Sequence, residues 1–249
     1  MKPFVLVLAR NKRFVDSKIQ ELERLGLDFL IICGERVEHP AVIFRKAIGK
    51  WDAINFGARF VPKKADIVVL NDVDTRIHNF WHSLSHLDDG ADLVYCRVNV
   101  SQGPQVKFYR IADPIRKYFH IFASGELMLI RKKVFRRLLP IPPCVAEDSY
   151  MLFKVLELGY KAYFCTETYT ITDRTVNVEE EEAYKARTTL GIYQVLRYVK
   201  PPPWIRIFYT LLPMIAPLLS LVGKEGLSWV KGIISAVKAN MTKRYPTMF

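Results

Sequence analysis

Two acidic residues, spaced one residue apart, follow a strongly apolar run. Residues 67–70 read Ile-Val-Val-Leu. Asn71 follows, and then Asp72 and Asp74 with Val73 between them. Two carboxylates at such a point can share one Mg²⁺ or Mn²⁺ ion, which keeps open positions for phosphate oxygens. A solvated turn would show the same pattern. The pair alone therefore leaves a metal site and an exposed turn as alternatives.

A second acidic pair, Glu147 and Asp148, opens a stretch with helical spacing. Acids in the first turn stabilise a helix by facing its positive end. Asp148 is therefore a candidate for acid–base chemistry only if another observation supports that role.

The elements that position these acids alternate between strands and helices. A continuous apolar run at 3–9 is typical of a strand buried on both faces, and two further strands are predicted at 27–33 and 65–70. Helical spacing at 14–26 and 50–64 separates them. This order predicts a doubly wound α/β fold, in which ligands bind at the carboxyl ends of the strands, where Asp72 and Asp74 lie.

Further elements follow along the chain. We predict a strand over 91–100, a strand running into a basic helix over 125–138, a helix from 146 that ends at Gly159 and leads into a strand, and a helix over 178–199. The sequence KPPPW at 200–204 then marks a boundary. We therefore predict a catalytic domain over 1–199 and a C-terminal segment over 200–249.

Charge is concentrated in the C-terminal part of the chain. The protein has 249 residues, half of them hydrophobic, and a net charge of +12. From Ala183 onward there are ten cations against one acid, Glu225, so this part carries nine of the twelve net charges. The basic part is also the most apolar, which favours an anionic membrane surface over nucleic acid as the partner.

The C-terminal segment has two apolar stretches. Residues 204–222 are almost wholly apolar but contain Pro213 and Pro217, and residues 227–241 place Trp229 and Ile233 on one side of an amphipathic helix. A kinked pair of helices in the cytoplasmic membrane interface explains both. A single membrane span and a soluble tail packed on the core are the alternatives.

Cysteine and histidine residues give no metal-binding pattern. The cysteines are far apart, without a CxxC pair, and we interpret them as reduced core residues; they are Cys33, Cys96, Cys144 and Cys165. The histidines show no consistent ligand spacing, although His78 and His82 could share a helix face.

Taken in order, the motifs resemble family 2 of the glycosyltransferases, an inverting family with the GT-A fold. The resemblance covers roughly residues 3–195. It rests on LARN at 8–11, GKWDAINFGARF at 49–60, NDVDTRI at 71–77, ASGELMLIRKKVF at 123–135, AEDSYMLFKVLELGYKAYF at 146–164 and YKARTTLG at 184–191. It implies a mostly parallel sheet with flanking helices, followed here by the apolar and amphipathic C-terminal helices.

The resemblance also implies roles for the acids. Asp72 and Asp74 would hold Mn²⁺ or Mg²⁺ on the diphosphate of a nucleotide-sugar donor. Asp148 would be the general base that accepts a proton from the acceptor hydroxyl. Arg187, with Lys185, would contact the diphosphate or an acceptor phosphate.

Other positions would bind the donor. Arg10 and Asn11 belong to the opening loop, and Lys50 and Asn55 are expected nucleotide or sugar contacts. Asn55 could equally be a helix residue that bonds to the backbone. The family usually has an acid at the end of the second strand, where this chain has Cys33, and Glu35 would take over its contact with the nucleotide.

The implied function is inverting transfer of one sugar from a nucleotide-diphosphate sugar to an acceptor hydroxyl or phosphate at the cytoplasmic face of the cell membrane. The acceptor would be lipid-linked or another glycan. Two alternatives remain open. One is a catalytically silent membrane-peripheral scaffold with the GT-A fold. The other is a nucleotidyltransferase, which normally needs a Gly-rich phosphate loop that LARNKR at 8–13 lacks.

Overall fold

The computed structural model describes residues 1–242. The end of the predicted C-terminal segment, residues 243–249, lies outside the described residues.

Eight strands form one mixed sheet. They are β1 (Pro3–Ala9), β2 (Asp28–Cys33), β3 (Val42–Phe44), β4 (Ile67–Asp72), β5 (Arg76–His78), β6 (Leu93–Val100), β7 (Leu127–Arg131) and β8 (Ala162–Thr172). Their order in the sheet is β3-β2-β1-β4-β7-β6-β8-β5. The pairs among β1 to β4 are parallel, as is β6 with β8, whereas β7 is antiparallel to both its neighbours and β5 to β8.

Helices cover both faces of the sheet. They are α1 (Val15–Arg24), α2 (Lys50–Gly57), α3 (Phe80–Asp88), α4 (Pro104–Phe119), α5 (Lys132–Leu138), α6 (Glu147–Glu157), α7 (Val178–Tyr198), α8 (Pro203–Ile215) and α9 (Lys224–Met241). Two 3₁₀ segments, Ala58–Phe60 and Ala216–Val222, follow α2 and α8.

Alternating side chains of the central strands feed two separate hydrophobic cores. On β1, Val5 and Val7 face the core that contains α1 and α3, while Leu6 and Leu8 face the core that contains α2, α5, α6 and α7. The continuous apolar run of β1 follows from this burial on both faces.

The predicted strands and helices are found close to their predicted bounds, with three differences. The helix predicted over 50–64 ends at Gly57, which lies so close to β1 that a Cβ there would be 2.6 Å from Leu6 Cδ1. The sequence analysis did not predict β3, β5, α3 or α4. His78 and His82 do not share a helix face, because His78 lies in β5 and His82 in α3, with Asn79 in the left-handed region between them.

The inner faces of α8 and α9 pack on the rest of the protein. Ile205 and Tyr209 of α8 are buried in the core, and Trp229 of α9 is completely buried. Trp229 Nε1 donates to Glu181 Oε1 of α7 at 3.0 Å. A Cβ on Gly232 of α9 would lie 2.6 Å from a backbone oxygen of α7, so the two helices are in close backbone contact. Packing therefore crosses the predicted boundary at residue 200.

The outer face of this region remains apolar and exposed. Pro203–Val222 has a mean hydropathy of 1.8 and is long and apolar enough to span a bilayer, a property that core helices of soluble proteins share. Met214, Leu218 and Leu221 are 76%, 66% and 85% exposed. We call the exposed apolar residues of this region the outer apolar face; they are Trp204, Ile207, Leu211, Met214, Ile215, Leu218 and Leu221.

Candidate active site

Lys50 joins the two acidic motifs. Asp72 is the last residue of β4, and Lys50 is the first residue of α2. The Lys50 Nζ atom lies 2.8 Å from Asp72 Oδ1 and 3.2 Å from Glu147 Oε1. Residues that are far apart in the sequence thus meet at the carboxyl edge of the parallel strands, as the sequence predicted for Asp72.

A buried polar cluster fixes the turn that follows β4. Lys18 Nζ donates to Asn71 Oδ1 at 2.9 Å and to Glu21 Oε2 at 2.6 Å. Glu21 Oε1 in turn accepts from the Ile77 backbone at 2.6 Å. The turn that carries Asp74 is therefore held on both sides by α1. The Lys18–Glu21 pair was not predicted. The sequence does carry a signal for it, because Lys18 and Glu21 are three residues apart and adjoin the apolar Ile19 and Leu22.

Asp148 lies in the first turn of α6, half-buried, beside Glu147. Its Oδ1 accepts from the Ser149 backbone at 2.6 Å. Burial, and then the neighbouring Glu147 charge, raise the pKa of Asp148 to about 7, while Lys50 acts in the opposite direction. Burial likewise raises the pKa of Asp72 to about 6, against the Lys50 charge. Carboxyl groups with such pKa values can exchange protons near neutral pH.

Gly125 and Glu126 complete the acidic end of the site. A Cβ on Gly125 would lie 2.8 Å from Lys50 Nζ and 3.3 Å from Asp148 Cβ, so a side chain here would displace the Lys50 ammonium group. Glu126 is buried and forms an ion pair with Arg174. Neither Glu126 nor Arg174 was predicted from the sequence, because their pairing depends on the tertiary fold.

The charge balance at this end of the site suits a divalent cation. Five carboxylates interact with one another through their charges here, while the cations that form ion pairs with them are Lys50 and Arg174. The carboxylates are those of Asp72, Asp74, Glu126, Glu147 and Asp148. Asp74 is exposed and Asp72 retains 24% side-chain exposure, so both are accessible to an ion. Carboxylate oxygens are the ligands that Mg²⁺ and Mn²⁺ favour.

The two predicted basic residues of α7 differ in their exposure to solvent. Arg187 is exposed, with its guanidinium 5.6 Å from the ring centroid of Tyr184. Lys185 is buried, with Nζ 3.1 Å from the ring centroid of Phe108, and burial lowers its pKa to about 8. Arg187 is thus the more accessible partner for a phosphate.

The remaining predicted donor contacts lie in two places. Arg10 is at the cavity described below. Asn11 Oδ1 accepts from the Arg13 backbone, and Glu35 Oε2 accepts from the Lys12 backbone, so both side chains order the loop after β1.

Asn55 bonds to the backbone, which was the alternative to a donor contact that its sequence left open. Its side-chain amide donates to the Ile141 oxygen at 2.8 Å and accepts from the Ile141 nitrogen at 2.8 Å. Both polar groups of the side chain are thereby occupied by the backbone. We therefore leave Asn55 out of the donor site.

One cavity of about 1180 Å³ includes the acidic end of the site and continues between helices. Lys50, Asp72 and Asp148 line it, as do Tyr184 and Arg187 of α7. Further lining residues are apolar and come from α4 and from α8 with its 3₁₀ continuation; they include Ile111, Ile115, Phe208, Ile215 and Leu218. The cavity thus has a charged end and apolar walls.

Comparison with known proteins identifies the fold. No family model matches the chain, and no curated protein does. Among solved structures, the chain is similar to a mannosyltransferase, PcManGT from Pyrobaculum calidifontis, in complex with GDP-Man and Mn²⁺. The TM-score is 0.68 at 16% identity, over 98% of this chain and 88% of that one. GalNAc-T7 with UDP, GalNAc and Mn²⁺ gives a TM-score of 0.58 at 12% identity, over 99% of this chain and 58% of that one. The chain has the GT-A fold.

The similarity to PcManGT extends over almost the whole chain, so it includes the helices after residue 200. In this GT-A chain α8 and α9 are not separate from the cavity, because Phe208 and Tyr209 of α8 and Ile233 of α9 contribute to its wall.

Proposed function

We propose that the protein is a divalent-metal-dependent glycosyltransferase that uses a nucleotide-diphosphate sugar. The observation that carries this proposal is the meeting of Asp72, Lys50 and Asp148 at one end of a single large cavity in a GT-A fold. The GDP-Man and Mn²⁺ in the PcManGT structure, and the UDP, GalNAc and Mn²⁺ in the GalNAc-T7 structure, support the same class of substrate.

The donor diphosphate would lie at the carboxyl edge of the sheet. Asp72 and Asp74 would hold Mn²⁺ or Mg²⁺, which when bound offsets the negative charge of the departing diphosphate. Arg187 and Arg10, both at the cavity, would contact phosphate oxygens. Asn11 and Glu35 would contact the nucleotide from the loops after β1 and β2.

Asp148 would act as the general base. Its half-buried carboxylate lines the cavity and, with a pKa of about 7, accepts a proton near neutral pH. One base opposite a stabilised leaving group is sufficient for direct displacement with inversion. This chemistry is the one that the resemblance to family 2 implies.

The acceptor is proposed to be lipid-linked. The apolar walls that α4 and α8 give to the cavity suit an apolar chain, while a hydroxyl or phosphate head would reach Asp148. Ile215 and Leu218 belong both to the cavity wall and to the outer apolar face. A chain in the cavity could therefore continue directly into a bilayer.

Charge supports docking at the cytoplasmic face of an anionic membrane. The described residues after 199 include five cations and one acid, Glu225. That acid is paired with Lys107 at 2.6 Å, so its charge is already offset within the protein. The cations are Lys200, Arg206, Lys224, Lys231 and Lys238. Such residues beside an apolar face attract acidic lipid head groups.

A panel of nucleotide sugars tests the proposal. We expect at least one to raise the melting temperature of the protein with Mn²⁺ and to do so much less with EDTA. The same donor, radiolabelled, should transfer its sugar to a polyprenyl-linked acceptor more readily than to a water-soluble analogue without the chain. Lack of Mn²⁺-dependent stabilisation by any nucleotide sugar would overturn the donor assignment. Equal transfer to both acceptors would overturn the lipid assignment alone.

A further inference from the structure

A second group of potential metal ligands lies outside the cavity. His86 of α3 and Cys165 and Glu167 of β8 each offer one ligand atom, and these atoms all lie within 4.8 Å of one another. None of the three residues lines the cavity of the candidate active site. The group combines nitrogen, sulfur and oxygen donors, whereas the cation site proposed above has carboxylates.

A break in the pairing of β6 with β8 brings Glu167 to Cys165. Cys96 pairs with Cys165, but the next residue, Arg97, pairs with Tyr169. Residues 166–168 therefore bulge out of the ladder, as happens where a strand redirects a side chain. As a result, Glu167 Oε2 lies 3.5 Å from Cys165 Sγ.

Hydrogen bonds hold the bulge in this shape. The Thr166 nitrogen donates to Glu167 Oε2 at 3.0 Å, and the Thr168 nitrogen donates to Cys165 Sγ at 3.3 Å. Thr168 Oγ1 donates to the Asn79 oxygen at 2.8 Å, which ties the bulge to the start of α3. The carboxylate and the sulfur are thus positioned before any ion binds.

His86 is also oriented by its neighbours. Its ring stacks on that of Tyr163, with centroids 3.9 Å apart and planes at 26°. His86 Nε2 lies 3.9 Å from Glu167 Oε2. A restrained ring of this kind lowers the conformational cost of binding an ion.

The sulfur of Cys165 is the thiol of the group. The Cys96 thiol and the Thr168 nitrogen both donate hydrogen bonds to it. The thiolate is the form that binds metals. Cys96 therefore donates to the proposed ligand, as outer-shell groups donate hydrogen bonds to metal ligands.

We propose that His86, Cys165 and Glu167 bind a Zn²⁺ ion. Tetrahedral bonds of about 2.0–2.3 Å separate a zinc-bound sulfur and oxygen by about 3.6 Å, and a nitrogen and oxygen by about 3.4 Å. The corresponding distances here are 3.5 Å and 3.9 Å, and the His86 and Cys165 ligand atoms lie within 4.8 Å, so a movement of up to about 1.3 Å completes the site. The Glu167 side chain is 53% exposed, which leaves the fourth position to water. The ion would fasten α3 to β8.

Cobalt spectroscopy tests this site independently of any sugar transfer. The full-length Asp72→Asn protein, reduced and stripped of metal, would be titrated with Co²⁺ alone. A thiolate-to-cobalt charge-transfer band should appear, saturate at one ion per chain and disappear on addition of Zn²⁺. Absence of the band would overturn the proposal.

Variants assign the ligands. Cys165→Ser should abolish the band, while Cys144→Ser, which changes another buried free cysteine, should leave it unchanged. Because Cys165 is buried, Glu167→Gln provides a second test at an exposed position, where affinity should fall by at least about tenfold. Unchanged affinity in Glu167→Gln, or a band that persists in Cys165→Ser, would show that the ion binds elsewhere.

Discussion

The ammonium nitrogen of Lys50 lies 2.8 Å from Oδ1 of Asp72, so the first acid of the DxD pair already has a cationic partner within the protein. The Lys50 charge lowers the pKa values of Asp72 and Asp148, against the larger effect of burial. Lys50 therefore favours the ionised forms of Asp72 and Asp148.

Substitution of this lysine should change the pH dependence of the reaction. In Lys50→Met the pKa of Asp148 rises, so the acid limb of the pH profile of kcat/KM should move to higher pH. Lys46→Met, at an exposed loop position nearby, is the matched control. A limb that stays at the wild-type pH in Lys50→Met would mean that this ion pair does not govern the base.

Asp148→Asn should stop transfer without preventing donor binding. Loss of a general base slows a reaction by about 100- to 10,000-fold. In the wild type the ionised carboxylate is the active form, so kcat/KM should fall as the pH drops below about 7. Transfer rates and donor titrations separate the two effects. Glu157→Gln, in the last turn of the same helix, is the control, and wild-type transfer by Asp148→Asn would refute the assignment.

Asp74→Asn should remove the Mn²⁺ dependence of donor binding. Because Asp74 is exposed, its substitution should change the free energy of unfolding by no more than about 0.5 kcal/mol. Calorimetric titration of the donor with Mn²⁺ and with EDTA measures the effect. Asp88→Asn, at another exposed position, should behave as wild type. The prediction fails if Asp74→Asn keeps the full Mn²⁺ dependence.

Asn55→Ala should destabilise the fold but leave donor affinity unchanged. The substitution removes both hydrogen bonds to Ile141, a buried residue, and should cost about 1–3 kcal/mol of unfolding free energy. Urea denaturation gives the stability, and donor titration gives the affinity. Asn11→Ala should show the opposite result, a stable protein with weaker donor binding. Weak donor binding by a stably folded Asn55→Ala protein would restore Asn55 to the donor site.

Leu218→Ser combined with Leu221→Ser should weaken membrane binding. Both side chains are largely exposed, so the fold should tolerate the change. Binding to vesicles with acidic lipids should fall by at least about tenfold, because two leucines would no longer leave water. Ile48→Ser and Phe44→Ser alter exposed apolar residues beside α2 and serve as controls. These variants test docking more cleanly than removal of residues 203–249, which would also strip Trp229 from the core.

The sequence predicted most of the sheet because most of its strands consist largely of apolar residues. The elements that it missed have weaker patterns: β3 and β5 are three residues long, and α4 contains Pro114 together with the buried polar residues Gln105 and Arg116. The antiparallel direction of β7 leaves no trace in residue type, since the two hydrophobic cores bury both of its faces whichever way the strand runs.

Candidate residues were predicted where the residue types themselves suggest chemistry, as at Asp72, Asp74 and Asp148, whose roles remain predictions. Partners that depend on the three-dimensional fold were not, such as Glu126 with Arg174. Asn55 was predicted as a donor contact from its motif. Its side chain instead forms hydrogen bonds to the Ile141 backbone.

The contact of Gly232 with α7 means that the C-terminal helices cannot be exchanged as an independent module. Helix α7, which carries Tyr184 and Arg187, packs directly against α9 and leaves no space for a side chain at Gly232. A chimera that joins residues 1–199 to the C-terminal segment of another GT-A protein would therefore need a matching surface on α7. In this chain α7 and α9 should therefore be exchanged together.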